Sequence, residues 1–380
     1  MTRPPISRRA WLVSAAAGLS CGRKRATGFA GYCFVADKAT RSLTVVDLEQ
    51  FRVRKAIPLD AAPSAVAAPF DPARPRVFAL ASEAGAVYEI DAAALAVKRK
   101  AWAGSQAIAM QLSPAGDALW VLYREPAVLA QLPLDSFRFT RRIGLPAPPE
   151  SFALSEDGRA AVASRVRRSV SLISLSRGVI EGTLAGGVEP SLIRFRKDGR
   201  QLLAGSAPER CLAIFDVATG KTIVRLPLPV APRHFAMTPD GGQLFISGDG
   251  ADAVAIVFPY STEIDQTILA GHAPGAMVVT DTSPSYLMVA NPESSGITVL
   301  DMDMRKLVAV VRVGQGPGEI LITPDNQYAL AIDEQSADLA VVRLATFAEA
   351  AVRRYKSAAL FTMISVGGKP VAAAIVRLQG

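Results

Sequence analysis

Few side chains in this sequence can act as a general acid or base near neutral pH. Histidine is the commonest such group, and the 380 residues contain only two, His234 and His272. Each precedes a short apolar segment, and Arg233 lies beside the first of them. Glu150 and Glu319 stand at comparable points of other segments. These five side chains are candidate ligand-binding residues, provided that the fold brings their segments together.

The alternative interpretation is that the five are unrelated, solvated loop residues. The sequence has no G-x-S-x-G nucleophile elbow, no G-x-x-x-x-G-K phosphate loop and no C-x-x-C-H haem attachment motif. Two separated histidines without paired cysteines disfavour zinc. The segment 248–252, GDGAD, lacks the later glutamate of a calcium loop. We therefore predict no catalytic residues, no metal and no cofactor.

An internal repeat runs through the chain and must position these residues. Each unit has a Gly/Pro corner, a strand, a tight turn and two further strands, and a fourth strand leads to the next corner. The ends of the third strands follow one another at intervals of 39 to 44 residues: Asp47, Asp91, Asp135, Ser174, Asp216, Phe258, Asp301 and Arg343. Four strands in 40–45 residues are typical of a β-propeller blade.

The polar residues that recur with the repeat have a structural explanation. Five third strands end in aspartate, a residue that can hydrogen-bond its own backbone two residues on and so begin a turn. The segment 238–241, TPDG, is typical of a tight hairpin. Cys33 and Cys211 lie on apolar strand segments of non-adjacent units. We expect buried free thiols there and no disulfide between them.

At this level the chain resembles the YVTN β-propeller repeat family, whose members are YncE-like. The resemblance rests on Val45-Val46-Asp47, on 328–332 (YALAI) and on 313–326, which begins VGQGP and ends TPDN. It covers about residues 31–378 and implies an all-β fold with a central channel. The YVTN tetrapeptide itself is absent; YLMVAN at 286–291 is a variant of it.

The repeat predicts a single, closed β-propeller over residues 31–380 made of four-stranded antiparallel blades. Eight blades need about 43 residues each and match the spacing, whereas the seven usual in the family need about 50. The segment 31–35 matches a second strand, and 369–376 matches a first strand. We expect these ends to pair in one composite blade and close the ring. The insert at 346–356 fits a short helix or a loop.

The basic excess of the chain lies at its start. Residues 1–30 hold six basic residues and no acidic one, and the rest carry 36 basic and 34 acidic residues. This near balance argues against nucleic-acid binding. Arg8-Arg9 followed by an apolar run is typical of a twin-arginine export signal, and the alternative is an ordinary Sec signal with two basic residues. Cys21 closes that run; either its thiol is acylated as a lipid anchor, or the signal is simply cleaved near 15–17 and Cys21 carries no lipid.

Two functions fit these observations. The first is an extracytoplasmic, non-enzymatic, monomeric scaffold that binds a protein, peptide or surface ligand through its loop face. The second is a propeller enzyme, a lactonase-like or quinoprotein-like oxidoreductase, with its site at the channel mouth. Corner residues line that mouth, so either function would use Glu150, Arg233, His234, His272 and Glu319. The fold alone does not decide between them.

Overall fold

The computed structural model describes residues 28–69, 71, 73–185, 188–348 and 358–378. Most of the predicted export signal, with Cys21, lies outside the described residues. So does most of the insert at 346–356; its first two residues are the last two of a 3₁₀ turn, Leu344–Phe347. In the described part of the chain, no helix is long and apolar enough to cross a membrane.

The strands form eight four-stranded antiparallel sheets, which we number as blades in chain order. In blades 1 to 4 the strands are β4 (Ala65–Ala67), β5 (Arg76–Ala81), β6 (Ala86–Asp91) and β7 (Ala96–Trp102); β8 (Ser105–Leu112), β9 (Ala118–Glu125), β10 (Val128–Pro133) and β11 (Arg141–Gly144); β12 (Ser151–Leu154), β13 (Arg159–Ser164), β14 (Ser169–Ser174) and β15 (Val179–Leu184); β16 (Leu192–Phe195), β17 (Gln201–Ser206), β18 (Cys211–Asp216) and β19 (Thr222–Pro227).

Blades 5 to 7 follow the same order, and blade 8 combines both ends of the described chain. Their strands are β20 (Ala231–Met237), β21 (Leu244–Asp249), β22 (Ala253–Phe258) and β23 (Glu263–Leu269); β24 (Met277–Val279), β25 (Tyr286–Asn291), β26 (Gly296–Asp301) and β27 (Lys306–Arg312); β28 (Pro317–Ile322), β29 (Tyr328–Asp333), β30 (Asp338–Arg343) and β31 (Leu360–Ser365); β32 (Pro370–Arg377), β1 (Gly31–Asp37), β2 (Ser42–Asp47) and β3 (Arg52–Pro58).

The first strands of all eight blades form a closed ring around a central channel. Each contacts the first strand of the next blade, and β32 completes the circle by contacting both β28 and β4. In blade 8, β1 pairs antiparallel with β32, so that Phe34 faces Ala374. The prediction of eight blades is therefore confirmed, as is closure by pairing of the terminal strands.

The hydrophobic core is divided among the contacts between blades. Eight clusters of buried side chains each join two neighbouring blades; one of them packs Leu80 of blade 1 against Val121 of blade 2. This arrangement explains why the second and third strands are almost wholly apolar, since both of their faces are covered. Cys33 and Cys211 are buried and free, as predicted.

Four of the five aspartates that recur with the repeat act in turns, whereas Asp135 lies beyond the end of β10 and pairs with Arg74. Oδ1 of Asp47 accepts hydrogen bonds from the backbone N–H groups of Glu49, at 2.9 Å, and Gln50, at 3.0 Å. Asp91 and Asp301 bond to the backbone that follows them in the same way. Their recurrence is thus structural, as the sequence predicted.

Two faces of the ring follow from the strand order. The crossovers between blades and the loops between second and third strands lie on one face, which we call the top face. The turns between first and second strands, and between third and fourth strands, lie on the other, which we call the bottom face.

Candidate functional site

Three of the five predicted ligand-binding residues come together at the top face. Arg233 and His234 lie on β20, the first strand of blade 5, and His272 lies in the crossover from blade 5 to blade 6. All three line one cavity of about 680 Å³, which we call the mouth pocket; residues 248–252 and 273–275, Pro292 and Glu293 complete its lining. The sequence analysis grouped these three residues, and the structure places them at one pocket.

Arg233 and His272, at the mouth pocket, are both engaged by carboxylates. Arg233 forms an ion pair with Asp249, with Nε and a terminal nitrogen 2.9 and 2.8 Å from Oδ2. The His272 ring lies between two carboxylates, with Nδ1 3.1 Å from Asp252 Oδ1 and Nε2 3.2 Å from Glu293 Oε2. The hydrogen bond with Asp252 raises the pKa of His272. This imidazole therefore links three loops.

A second cavity of about 770 Å³, the channel pocket, adjoins the mouth pocket and shares Arg233 and His234 with it. It follows the channel between the first strands of blades 2 to 6 and reaches bottom-face turns at Glu156, Lys197 and Pro239. His234 is open to the channel but surrounded by protein, and this burial, together with the charge of Arg233, lowers its pKa. The neutral imidazole is thus favoured at pH 7.

Arg194 in β16 is a channel residue that the sequence analysis missed. Its neighbours Ile193 and Phe195 are buried between blades, so the alternation of the strand directs Arg194 toward the channel pocket. Burial by the channel walls lowers the pKa of Arg194. The guanidinium has no hydrogen-bond or ion-pair partner among the described residues. A single charged residue within an apolar first strand was the signal that could have found it.

Glu319 and Glu150 do not join the mouth pocket. Glu319 lies in β28, and its Oε2 accepts a hydrogen bond from the backbone N–H of Ala373 in the neighbouring blade, at 2.9 Å. Burial raises the pKa of Glu319, and this hydrogen bond opposes the shift. Glu150 precedes β12 and has an oxygen 3.8 Å from Arg124. The proposed set of five thus separates into three residues at one pocket and two at other blades.

The contact made by Glu319 has a counterpart elsewhere in the channel. Nε2 of Gln111 in β8 donates to the carbonyl of Phe152 in the next blade, at 2.8 Å. A first strand has a partner strand on one side only, so its other edge presents unpaired backbone groups to the channel. Gln111 and Glu319 bond to such groups.

Within the described residues, no group of three His, Cys, Asp or Glu side chains could hold a metal ion.

Comparison with known proteins agrees with this architecture. Over 137 residues, 35% of this chain, the sequence is 22% identical to the seven-bladed β-propeller protein Rv1057 of Mycobacterium tuberculosis. That match spans 35% of the length of Rv1057. This chain has a β-propeller fold. It has eight blades where that relative is described as having seven, and no family model matches it.

Three solved structures resemble the propeller. The dihydro-heme d1 dehydrogenase NirN, in complex with DHE, superposes with a TM-score of 0.75 at 16% identity, over 91% of this chain and 75% of NirN. Kuenenia stuttgartiensis hydrazine synthase gives 0.59 at 18%, over 74% and 96%. A functionally unknown protein from Desulfotomaculum acetoxidans gives 0.61 at 12%, over 92% and 99%. At these identities the likeness shows the fold alone.

Proposed function

We propose that this protein is an exported, non-enzymatic β-propeller that binds a ligand at its top face. The observation that carries the proposal is the junction of two cavities, the mouth pocket and the channel pocket, at Arg233 and His234. A ligand seated there contacts exposed loops and the channel together. Sites of this kind, concave with a few converging polar groups, are where small molecules and chain ends usually bind.

The contacts of the candidate residues favour binding over catalysis. His272 is engaged by two carboxylates, and Glu319 is engaged by the backbone of blade 8. Neither arrangement leaves a base beside a nucleophile, which acyl transfer and hydrolysis require. Glu150 lies apart from both. The partner we propose is a protein, peptide or surface ligand, and the protein acts as a monomer.

The proposed location is extracytoplasmic. It rests on the twin-arginine-like start of the sequence, with Cys21 as the residue whose acylation would attach the protein to a membrane. The near balance of charge over residues 31–380 supports a partner other than nucleic acid. The resemblance to YVTN, YncE-like propellers is part of the same proposal.

Native mass spectrometry of the protein recovered from its own envelope fraction tests this function. We expect bound mass on the wild-type protein, and its loss in the double variant Arg233→Ala/His272→Ala at the mouth pocket. The matched control, Arg200→Ala/Asp303→Ala, changes two polar residues at bottom-face turns and should retain the mass. Equal retention by both variants would contradict a top-face site. The same spectrum shows whether Cys21 is present and acylated.

An enzyme is the second candidate, and His234 is the observation that favours it. Its lowered pKa keeps a neutral imidazole in the channel, where it can accept a proton. NirN and hydrazine synthase, which share the fold, are named as enzymes. Two results together would favour the enzyme over the scaffold. The retained mass would be that of a redox cofactor, and turnover would be lost in His234→Gln but not in Glu319→Gln.

A further inference from the structure

The channel pocket carries an excess of positive charge with one cation left unmatched. Four cationic residues line it, Arg194, Arg196, Lys197 and Arg233, against one acidic residue, Glu156. Three of the four have partners. Arg196 Nε donates to Asp198 Oδ1 at 2.9 Å, Lys197 Nζ donates to the carbonyl of Pro239 at 2.8 Å, and Arg233 pairs with Asp249.

Arg194 differs from these three because no described residue bonds to its guanidinium. A guanidinium keeps its charge at any ordinary pH, and the Arg194 side chain is exposed to the interior of the channel pocket, with protein walls around it. Low-dielectric walls around an unmatched charge concentrate its field, so the charge attracts an anion more strongly than it would on an open surface. A carboxylate or a phosphate is the best partner for Arg194, because it accepts two parallel hydrogen bonds from one guanidinium.

The remaining wall of the channel pocket restricts what can carry that acidic group. Leu154, Leu192, Phe235, Met237 and Met277 are apolar lining residues supplied by four neighbouring blades. All five are partly exposed, so they present apolar surface to the pocket. Contact between that surface and an apolar ligand body removes both from water. Methionine also adapts its shape to differently shaped partners.

We propose that the channel pocket binds an amphiphilic organic anion, with its carboxylate or phosphate on Arg194 and its apolar body against Phe235 and Met277. The proposal rests on the proposed binding function and adds the chemical class of the ligand. A free organic acid and the phosphate of an alkyl ester share this chemistry.

Isothermal titration of the full chain with a matched series of probes tests the proposal. Octanoate and octyl phosphate carry the acidic group, whereas octanol and octylamine carry the same apolar body without it. We expect an anionic probe to bind the wild type at least about tenfold more tightly than octanol, equivalent to about 1.4 kcal/mol. Comparison of octanoate with octyl phosphate shows which acidic group the channel accepts. Added salt should weaken this preference.

Variants at Arg194 locate the binding. Arg194→Gln should weaken the binding of the preferred anion at least about tenfold and leave octanol unchanged, and Arg194→Lys should weaken it less. Arg54→Gln removes the same charge from the exposed fourth strand of blade 8 and should bind as the wild type does. If Arg194→Gln does not fold, the headgroup series on the wild type and the Lys variant still decide.

Three results would overturn the proposal: equal binding of octanol and octanoate, no effect of Arg194→Gln, or no binding of any probe. None of these affects the retained mass that tests the top-face function with Arg233→Ala/His272→Ala. If Arg233→Ala/His272→Ala retained the bound mass as its control does, the binding function itself would be contradicted. Failure of the inference and failure of the function on which it rests are therefore separate observations.

Discussion

Asp37 and Asp333 occupy the same position at the end of the second strand in two neighbouring blades, yet their pKa values shift in opposite directions. Both side chains are buried and face the crossover that enters their own blade. The pKa of Asp37 is lowered, whereas burial raises the pKa of Asp333 to about 7. The repeat therefore places one residue type in two electrostatic environments.

The number of backbone donors accounts for this difference. Burial acts to raise the pKa of Asp37, but hydrogen bonds outweigh it. Its Oδ1 accepts N–H groups of Ala39 and Lys369 at 2.9 and 3.0 Å, and Oδ2 accepts that of Gly368 at 2.7 Å. Asp333 Oδ2 accepts only the N–H of Gly314, at 2.9 Å. Its Oδ1 is buried without a partner among the described residues.

Asp333 should make the protein less stable as the pH rises. Its pKa is higher in the folded state than in the unfolded chain, so between about pH 4 and pH 7 the folded state binds the proton more tightly. The free energy of unfolding therefore falls across that window. In Asp333→Asn, which keeps an oxygen for Gly314, we expect this slope to diminish and stability at pH 8 to rise by about 2 kcal/mol. Urea unfolding from pH 4 to 8 measures both. Parallel curves for the variant and the wild type would contradict the assignment.

Asp37 should stabilise the closure of the ring. Asp37→Asn loses one acceptor oxygen and leaves a crossover N–H unbonded, which we expect to cost about 1–3 kcal/mol at pH 7. Because its pKa is lowered, the stabilisation by Asp37 is present above the unfolded pKa and is lost as the pH falls through the folded value. Asp47→Asn is the matched control in the same blade, since its turn uses Oδ1 alone. Hydrogen exchange of β1 and β32 should accelerate in the first variant only.

Gly314 should tolerate no side chain. A Cβ at this position would lie 2.6 Å from Asp333 Oδ2 and 2.2 Å from Ser336 Oγ. Gly314→Ala must therefore displace the crossover or break its hydrogen bond, at a cost of about 2–4 kcal/mol. Gly182 of β15 has open space around the same atom, so Gly182→Ala should be neutral or slightly stabilising. Equal melting temperatures for the two variants would contradict this explanation.

The repeat made most of the fold predictable from the sequence. The spacing of strand ends determines eight blades, and the apolar segments 31–35 and 369–376 indicate the pairing of β1 with β32. The site was harder to predict from the sequence, because Arg194 and Glu319 occupy first strands that differ from blade to blade. The partner of Glu319 is a backbone group 54 residues away in the chain. A repeat pattern shows what blades share, whereas these contacts depend on where they differ.

The pKa values of the two histidines should shift in opposite directions, although both side chains lie at one pocket. Hydrogen bonding with Asp252 and the charge of Glu293 raise the pKa of His272 above 6.5, whereas burial and Arg233 lower that of His234 below it. NMR titration of the ring nitrogens resolves them, because the chain has no other histidine, and His234→Gln assigns the signals. Asp252→Asn should lower the pKa of His272 and leave His234 unchanged, while Asp249→Asn should lower that of His234. Coincident titration near pH 6.5 would show that the loops holding His272 are not joined as described.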